Sequence, residues 1–465
     1  MTYPTSCKRA LKRALSCLCF CLCLFLCLDA HAQEASGRAR YGSEADLLTL
    51  LKRAENIDPQ LASARLAYQA DQEGVPRARA GFFPQITGGW ARTHNQIKAE
   101  GLPSVSYTQN GWQVSLTQPL FNWDIWTTYK QSELAEAKSA ILFAQAYQEL
   151  FLRVANTYFA FLAARDDLRL TGTYRQSLKE QLKVTKLRFR GGEATLVDVR
   201  DIEAAIDRAQ MQEISAQGLM ETKRQDLEEI FGGPLARIAG LRQDVSVPGV
   251  MPDDMSIWIA QAKRNNFDVQ LQEIARKTAD LETSKAKGAH LPTISLNASH
   301  SPVGAAGGFG TPTTTNTVML QVSIPIFSGF ETQYRVRQAL ALEEKANSDL
   351  DAAERKSVGA VRESFFSMQT DLQKIQSLAN AVRSSSAALD ANKIGYRVGG
   401  RSDSDVLQAK NALLTTQRDL AHARYDLLTQ GLRLKSLTAS LEFADIAAIN
   451  GLLEDTNEQV PNRSR

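Results

Sequence analysis

The sequence predicts an α+β membrane protein with an internal duplication, in which each chain supplies four transmembrane β-strands and several long coiled-coil α-helices. Three observations predict this class: the 465-residue chain matches itself at nearly one offset, four short segments alternate in polarity, and two proline-free stretches have a heptad pattern. Hydrophobic residues make up 43% and charged residues 23% of the chain, which excludes both a disordered chain and a protein with many membrane-spanning helices.

The first 32 residues have the pattern of a secretory signal peptide. A basic stretch ends at Arg13, an apolar run follows over 14–28, and Ala30-His31-Ala32 offers a cleavage site. An uncleaved anchor helix is the alternative, although an apolar run of 15 residues is short for a bilayer span. We therefore expect the protein to be exported.

Removing this segment changes what the composition implies. All six cysteines lie within the first 27 residues, so the mature chain would have no disulfide and no thiolate metal site. The segment also carries the whole net charge of +3. The mature chain is therefore neutral and has no general attraction for the phosphates of nucleic acid.

Four short motifs of the first half of the chain recur in the same order in the second half. The offsets between the copies are 210, 208, 206 and 207 residues, which indicates one duplication of a unit of about two hundred residues rather than a solenoid. The copies begin at Asn56 and Asn266, Phe82 and His290, Gln118 and Ile324, and Arg188 and Gly395.

Each repeat contains a pair of segments in which apolar and polar residues alternate with a period of two. The four segments are 85–91, 108–120, 293–299 and 317–327. Their polar faces carry small and mostly uncharged side chains, so we expect transmembrane strands; a half-buried sheet in a soluble protein is the alternative. The loops 94–106 and 301–316 link the strands of each pair and are expected to face the cell exterior.

A long helical stretch follows each strand pair. No proline occurs in 122–189 or 330–396, and each stretch would be about 100 Å long as an unbroken helix. Apolar or small residues recur at alternating spacings of three and four from Leu134 to Leu162, with Gln148 in one slot, and from Val358 to Val382, which predicts coiled-coil packing. A partner helix is expected after each glycine pair, over 196–231 and 403–440, and such helices suggest a rod.

Four strands cannot close a membrane barrel, because the smallest such barrels have about eight strands. An open sheet edge cannot face lipid, since its backbone groups would lack hydrogen-bond partners. Several chains must therefore pool their strands: a dimer would supply eight and a trimer twelve. An exported chain of this kind is expected in the outer membrane of a Gram-negative bacterium, with its helices extending into the periplasm.

The glycine turn of the second repeat carries a resemblance to a known family. The sequence from Tyr396 to Ser402, followed by Asp405-Val406-Leu407, resembles the helix turn of the TolC-type outer-membrane efflux and secretion channels, the outer membrane factors. The counterpart turn over 189–199 is similar, as are the strand borders His290-Leu291-Pro292-Thr293 and Ile324-Pro325-Ile326-Phe327 and the segment 421–428. The resemblance covers about residues 43–453, nearly the whole mature chain.

The resemblance implies a homotrimer with a 12-stranded barrel in outer-membrane lipid and a long α-helical periplasmic tunnel. It implies no enzymatic activity. It further implies an exit duct that docks to a periplasmic adaptor (membrane fusion) protein and to an inner-membrane ABC or proton-driven transporter. The cargo stays open between protein, as in type I secretion, and small molecules, as in efflux. Adaptor docking would use the helix turns, at Gly191, Gly192, Val398, Gly399 and Gly400.

The resemblance also implies a periplasmic gate. Its residues would be Gln181, Asp198, Tyr396, Arg401, Asp405 and Gln408. In a trimer Asp405 would form a ring of three carboxylates that attracts cations, while Tyr396 and Arg401 would hold the gate shut toward Asp198, supported by Gln181.

An alternative interpretation is that Asp198 and Asp405 only cap helices, because they follow Thr195 and Ser402 at capping-box spacing. The sequence departs from the family pattern at Gln408, where a second acidic ring is usual, and at Lys393, where an acid is usual. Weaker cation block and partly rewired closed-state links are therefore expected.

The order of these patterns divides the chain into segments that repeat once. We expect a signal peptide over 1–32, an inter-repeat linker over 233–252 and a C-terminal tail over 442–465. The first repeat would have N-terminal helices over 33–83, a β-hairpin with an extracellular loop over 84–121 and long helices over 122–232. The second repeat would have the same order over 253–290, 291–327 and 328–441.

No catalytic, cofactor-binding or metal site is expected. The histidines after the signal segment, His94, His290, His300 and His422, lack metal-ligand spacing, and the sequence has no nucleophile-elbow or phosphate-loop motif. A periplasmic enzyme is therefore disfavoured. The main alternative to an export duct is a coiled-coil envelope scaffold or adhesin without a conducting pore.

Overall fold

A computed structural model describes residues 46–98, 100–101, 103–235, 237–242, 249, 251–303 and 313–454. The predicted signal peptide, the six cysteines, the centre of the 301–316 loop and the end of the C-terminal tail lie outside these described residues. The elements below belong to one compact unit, Ala45–Pro234 with Ile238–Arg465. The other unit, Met1–Glu44 with Leu235–Arg237, lies almost wholly outside the described residues.

The first repeat begins with short helices and ends with long ones. Helices α1 (Leu47–Ile57), α2 (Pro59–Gln72) and α3 (Gly74–Arg79) precede strands β1 (Gln85–Ile97) and β2 (Val105–Phe121). Helices α4 (Trp123–Arg190) and α5 (Leu196–Phe231) follow. Asn122 begins α4 by accepting hydrogen bonds from the backbone N–H groups of Asp124 and Ile125. With 68 residues, α4 is about 100 Å long.

The second repeat has the same order of elements. It comprises α6 (Met255–Asn265), α7 (Phe267–Gly288), β3 (Thr293–Val303), β4 (Thr313–Ser323), α8 (Glu331–Arg397) and α9 (Asp403–Leu437). A short helix, α10 (Phe443–Asn450), follows the repeat. The long helices lie where the heptad pattern predicts them. No helix in the described part of the chain combines the length and the apolar character needed to cross a bilayer.

The four strands form one antiparallel sheet in the order β1-β2-β3-β4. Trp90 pairs with Trp112 across β1 and β2, and Leu296 pairs with Leu320 across β3 and β4. The register of β2 against β3 shifts between Pro119 and Phe121. Among the described strands, β1 and β4 each pair on one side only, so the sheet has two open edges.

One face of the sheet is apolar and exposed. Ile86, Trp90 and Val318 are 68%, 67% and 77% exposed. The opposite face carries polar pairs, such as Thr87 and Ser115, whose hydroxyl oxygens lie 2.9 Å apart. An exposed apolar band beside a polar face is the pattern of a strand that meets lipid on one side.

The four strands extend further toward their loops than the sequence predicts, and β4 ends earlier than predicted at its other end. The predicted strand 317–327 ends at Ser323, because Pro325 has no N–H to donate to a ladder. The predicted loop 94–106 is shorter in the structure, since β1 continues to Ile97 and β2 already begins at Val105. Cross-strand hydrogen bonds of 3.1 Å between His94 and Thr108 and between His94 and Ser106 accompany this extension.

The long helices pack along the predicted heptad seams. Phe151, Ala155, Tyr158 and Leu162 of α4 are buried, and Val361, Phe365 and Met368 bury the corresponding seam of α8. Helix α4 packs on α5, and α8 packs on α9, so each repeat forms a helical hairpin.

Helix α4 also packs on α7 and α9 of the second repeat. The indole of Trp123 reaches across and donates a 3.2 Å hydrogen bond to the carbonyl oxygen of Ser284. A Cβ at Gly288, one turn further along α7, would overlap this indole and lie 2.7 Å from its Cγ. Glycine at position 288 therefore permits the close approach of the two repeats.

We expect Gly288→Ala to lower the free energy of unfolding by about 1–3 kcal/mol, because the added methyl group collides with the Trp123 ring, which is fixed by its hydrogen bond to Ser284. Loss of helical circular dichroism on heating the protein in detergent measures the effect. Gly218→Ala in α5 is the matched control, since a Cβ there would meet nothing within 4 Å. Equal effects of the two substitutions would contradict the packing argument.

Candidate functional site

Two tight turns join the long helices, one in each repeat. Gly192 adopts φ +79° between α4 and α5, and Gly399 adopts φ +78° between α8 and α9. Both angles lie in the left-handed region that glycine enters without steric cost. A 2.9 Å backbone hydrogen bond closes each turn, donated by Glu193 in the first repeat and by Gly400 in the second. The duplication has thus kept one backbone conformation at an offset of 207 residues.

Each turn leads into a capping box at the start of the next helix. The carboxylate of Asp198 accepts hydrogen bonds from the backbone N–H and the hydroxyl of Thr195, at 2.8 and 2.7 Å. Asp405 accepts the same pair from Ser402, both at 2.9 Å. The hydrogen bond from the backbone, and then that from the hydroxyl, holds the pKa of each carboxyl below its usual value. Both groups are therefore charged at neutral pH.

A polar network joins the two turns, and we call it the hairpin-tip network. Its members are Gln181, Thr185 and Arg188 of α4, Tyr396 of α8 and Asp403 of α9. The carboxylate of Asp403 is only 6% exposed. It accepts a hydrogen bond from the amide of Gln181 and a 3.0 Å hydrogen bond from the hydroxyl of Thr185. A buried carboxylate of the second repeat is therefore satisfied by donors of the first repeat.

Arg188 and Tyr396 form the second part of the hairpin-tip network. The guanidinium of Arg188 donates to the hydroxyl of Tyr396, lies 4.9 Å from the centre of its ring and approaches Asp403 to 3.7 Å. Burial, and then hydrogen bonding with Asp403, raises the pKa of Tyr396, while the hydrogen bond to Tyr396 raises that of Arg188. The network thus holds a neutral phenol between a cation and a buried carboxylate.

The structure brings together two of the predicted gate residues. The amide of Gln181 lies 3.4 Å from the hydroxyl of Tyr396. Asp198 and Asp405 are engaged by their own capping boxes, and Tyr396 bonds to Arg188 rather than to Asp198.

The other predicted residues lie at or near the turns. Arg401 lies beside Gly395: a Cβ added to Gly395 would come 2.8 Å from the Cγ of Arg401. Gln408 is exposed on α9. The predicted docking residues Gly191 and Val398 are exposed in their turns. The carboxylate ring needs neighbouring copies of the chain, so it stays a prediction.

Sequence reasoning missed Thr185, Arg188 and Asp403. A signal for the first two was present, because Gln181, Thr185 and Arg188 follow one another at i, i+4 and i+7 and so share one face of α4. Asp403 directly follows Ser402, and the capping pattern drew attention to Asp405 instead. In the described residues no cluster of three or more histidine, cysteine or acidic side chains could hold a metal ion.

The family model described as "Outer membrane efflux protein" matches residues 50–233 and again residues 258–440, once in each repeat. The chain belongs to the outer membrane efflux protein family. The members of this family are transport channels of the Gram-negative outer membrane. The protein accordingly lies in that membrane and extends into the periplasm.

The protein is similar along most of its length to a protease secretion protein and to an outer membrane protein. It is 28% identical over 403 residues to the alkaline protease secretion protein AprF of Pseudomonas aeruginosa, covering 84% of each chain. It is 27% identical over 432 residues to the outer membrane protein TolC of Escherichia coli strain K12, covering 90% of this chain and 87% of TolC.

The fold is that of solved outer-membrane channels. A crystal structure of CusC superposes with a TM-score of 0.75 at 16% identity, covering 86% of this chain and 93% of CusC. The predicted fold class is therefore confirmed: a duplicated chain that supplies four strands to a membrane barrel and long coiled-coil helices to a helical tunnel. The open edges of β1 and β4 leave unpaired backbone groups that hydrocarbon cannot accommodate.

We expect Asp403→Ala to loosen both hairpins at once, because Asp403 accepts hydrogen bonds from α4 while standing at the start of α9. Loss of these buried bonds should raise hydrogen exchange about tenfold in the last turns of α4 and the first turns of α9. Asp405→Ala is the matched control, since it removes a carboxylate from the same helical turn but one that bonds only to Ser402. Increased exchange in α4 with the control variant would contradict this assignment.

Proposed function

We propose that the protein is the exit duct of a tripartite export system, passing protein or small-molecule cargo from an inner-membrane pump and a periplasmic adaptor to the cell exterior. The observation that carries this proposal is the joining of two structures in one chain. A sheet with an exposed apolar face and two open edges adjoins two helices about 100 Å long, each paired with a shorter helix. A lipid-embedded sheet and a helical wall of that length together fit a conduit between two compartments.

Pairing of the two open edges supports a homotrimer. Strand β4 of one copy would pair with strand β1 of the next, and three copies would give a barrel of twelve strands in outer-membrane lipid. Closure removes the unpaired backbone groups that hydrocarbon cannot accommodate. The lipid around such a barrel would cover the apolar side chains that are exposed on one face of the sheet.

The first expected result is therefore a mass of three mature chains for the protein purified in mild detergent, measured by light scattering with correction for bound detergent. Unfolding of the sheet should coincide with dissociation, because each barrel seam is a row of hydrogen bonds between copies. A stable monomer that conducts ions would contradict the pooled barrel.

The helix turns are the proposed meeting point with the adaptor and the proposed gate. Gly191, Val398 and Gly399 are exposed there, and Val398 is 79% exposed, as suits a surface that a partner covers. The hairpin-tip network lies beside these turns and ties the two hairpins of one chain together. Opening at this end would separate α4 from α8 and α9, and the network opposes that movement.

The second expected result concerns conduction in planar bilayers. Tyr396→Phe combined with Arg401→Ser should raise single-channel conductance several-fold, because the phenol no longer bridges Arg188 and Asp403 and the turn loses a cation. Asp405→Ala should reduce block by divalent cations applied from the periplasmic side.

Tyr334→Phe is the matched control, since Tyr334 lies on the same helix and is 64% exposed. A wild-type protein that inserts but never conducts would favour the scaffold or adhesin instead. Variants that lose thermal stability with unchanged conductance and block would favour a purely capping role for the turn residues.

A further inference from the structure

A second set of polar links joins the two repeats, far from the helix turns. The Nε2 atom of His422 on α9 lies 2.9 Å from a carboxylate oxygen of Asp167 on α4. Three residues further along α9, the hydroxyl of Tyr425 donates a 2.8 Å hydrogen bond to Asp166. Neither pair belongs to the hairpin-tip network, and the side chain of His422 is 41% exposed.

A cavity of about 370 Å³ opens beside His422, where α4, α5 and α9 meet. Its lining is apolar along Phe159, Ala160, Ala163 and Leu219, and polar at His422 and the residues around it. The half-exposed imidazole therefore has access to water, so it can gain or lose a proton without disruption of the helix packing.

We propose that His422 and Asp167 form a proton-sensitive link between the two repeats, and that protonation of His422 strengthens the attachment of α9 to α4. Neutral imidazole can donate Nε2–H to Asp167 only in one of its two tautomers. Imidazolium donates from both nitrogens and makes a charge-assisted hydrogen bond, which is roughly twice as strong as a neutral one.

The charges around His422 favour the protonated form. The groups that face it are Asp167 from α4, Lys223 from α5, and Arg418, Tyr425 and Asp426 from α9. Beyond them lie Arg165, Asp166 and Arg169 of α4, beside Tyr425, and Asp371 of α8, beside Asp426. Among the cations, Lys223 pairs with Asp226 at 2.8 Å and Arg418 pairs with Asp419 at 3.1 Å. Both cations therefore have carboxylates of their own, while Asp167 is in direct contact with the imidazole.

The sign of the pH dependence follows from this arrangement. The hydrogen bond with Asp167 is the largest cause that raises the pKa of His422 above its ordinary 6.5. Because the pKa in the folded protein is above the unfolded value, the stabilisation is fully present below about pH 6.5 and is lost as the pH rises through the folded pKa. Acid therefore tightens the link and alkali loosens it.

This inference has a consequence for transport that rests on the proposed duct function. Dilation of the helical tunnel requires movement of α9 relative to α4, and the link opposes that movement more strongly in acid. We therefore expect the duct to open less readily as the pH falls across the titration of His422.

The link itself is tested by the rate at which the full-length protein in detergent unfolds in guanidinium chloride, compared at about pH 6 and about pH 8.5. Lowering the pH should slow the unfolding of the wild-type protein roughly threefold more than it slows the unfolding of the His422→Gln variant. The factor is modest because an exposed charged pair contributes little to stability. Glutamine keeps an N–H donor near the position of Nε2 but does not titrate, so its two rates define the pH effect of all other groups.

Tyr425→Phe is the matched control, because it removes a neighbouring bond between the same two helices and leaves His422 in place. It should unfold faster at both pH values with the wild-type ratio of rates retained. If His422→Gln keeps the wild-type ratio, or if Asp167→Asn leaves the imidazole pKa measured by NMR unchanged, the link is not proton-sensitive and the inference fails.

Conductance in planar bilayers separates this inference from the duct function. A wild-type protein that conducts less at about pH 6 than at about pH 8.5, beside a His422→Gln variant that conducts equally, supports both. A protein that conducts without this difference overturns the gating consequence and leaves the duct function intact. A protein that never conducts overturns the duct function, while the unfolding rates still decide the link.

Discussion

The packing of α4 against α9 is the contact on which the rest of the described structure depends. Each hairpin is held by its own apolar seam, and apart from the pairing of β2 with β3 the first repeat meets the second chiefly through α4, which packs on α7 and α9. Apolar seams tolerate sliding by a turn, which is about 5.4 Å. The links of Asp403 to Thr185 and of His422 to Asp167 would break if the helices slid by a turn. These polar contacts therefore fix the register of the two repeats.

The two turns show how a duplication produced a contact that only unlike repeats can make. Their backbones agree, with glycine at positive φ and a capping box in both. Their side chains differ: at the offset of 207 residues, Arg188 corresponds to Gly395, Tyr396 to Phe189 and Asp403 to Leu196. Each repeat therefore carries one half of the hairpin-tip network, and the halves complement each other across α4.

The fold could be predicted from the sequence because its signals are local. A period of two, a heptad seam and a glycine pair each depend on a few neighbouring residues, and they placed the strands, the long helices and the turns. Pro325 ended a strand earlier than alternation alone predicted. The hairpin-tip network was harder, since Gln181 and Asp403 are 222 residues apart and meet only when two helix faces are paired. Resemblance to the family supplied Gln181 and Tyr396, but it offered nothing for Arg188, which bonds to Tyr396 where Asp198 was the expected partner.

The spacing of the cross-repeat links also constrains how the helices can move. Thr185 and Asp167 are 18 residues apart on α4, and Asp403 and His422 are 19 residues apart on α9, which correspond to about 27 and 28 Å along antiparallel helices. Both links can therefore close together when the helices lie side by side. If the link of Asp403 to Thr185 opens while the link of His422 to Asp167 holds, α9 pivots about His422 and only the part of α9 between the two links moves away from α4. If both links open, a longer part of α9 moves, so the strength of the link between His422 and Asp167 sets how far the turns can separate.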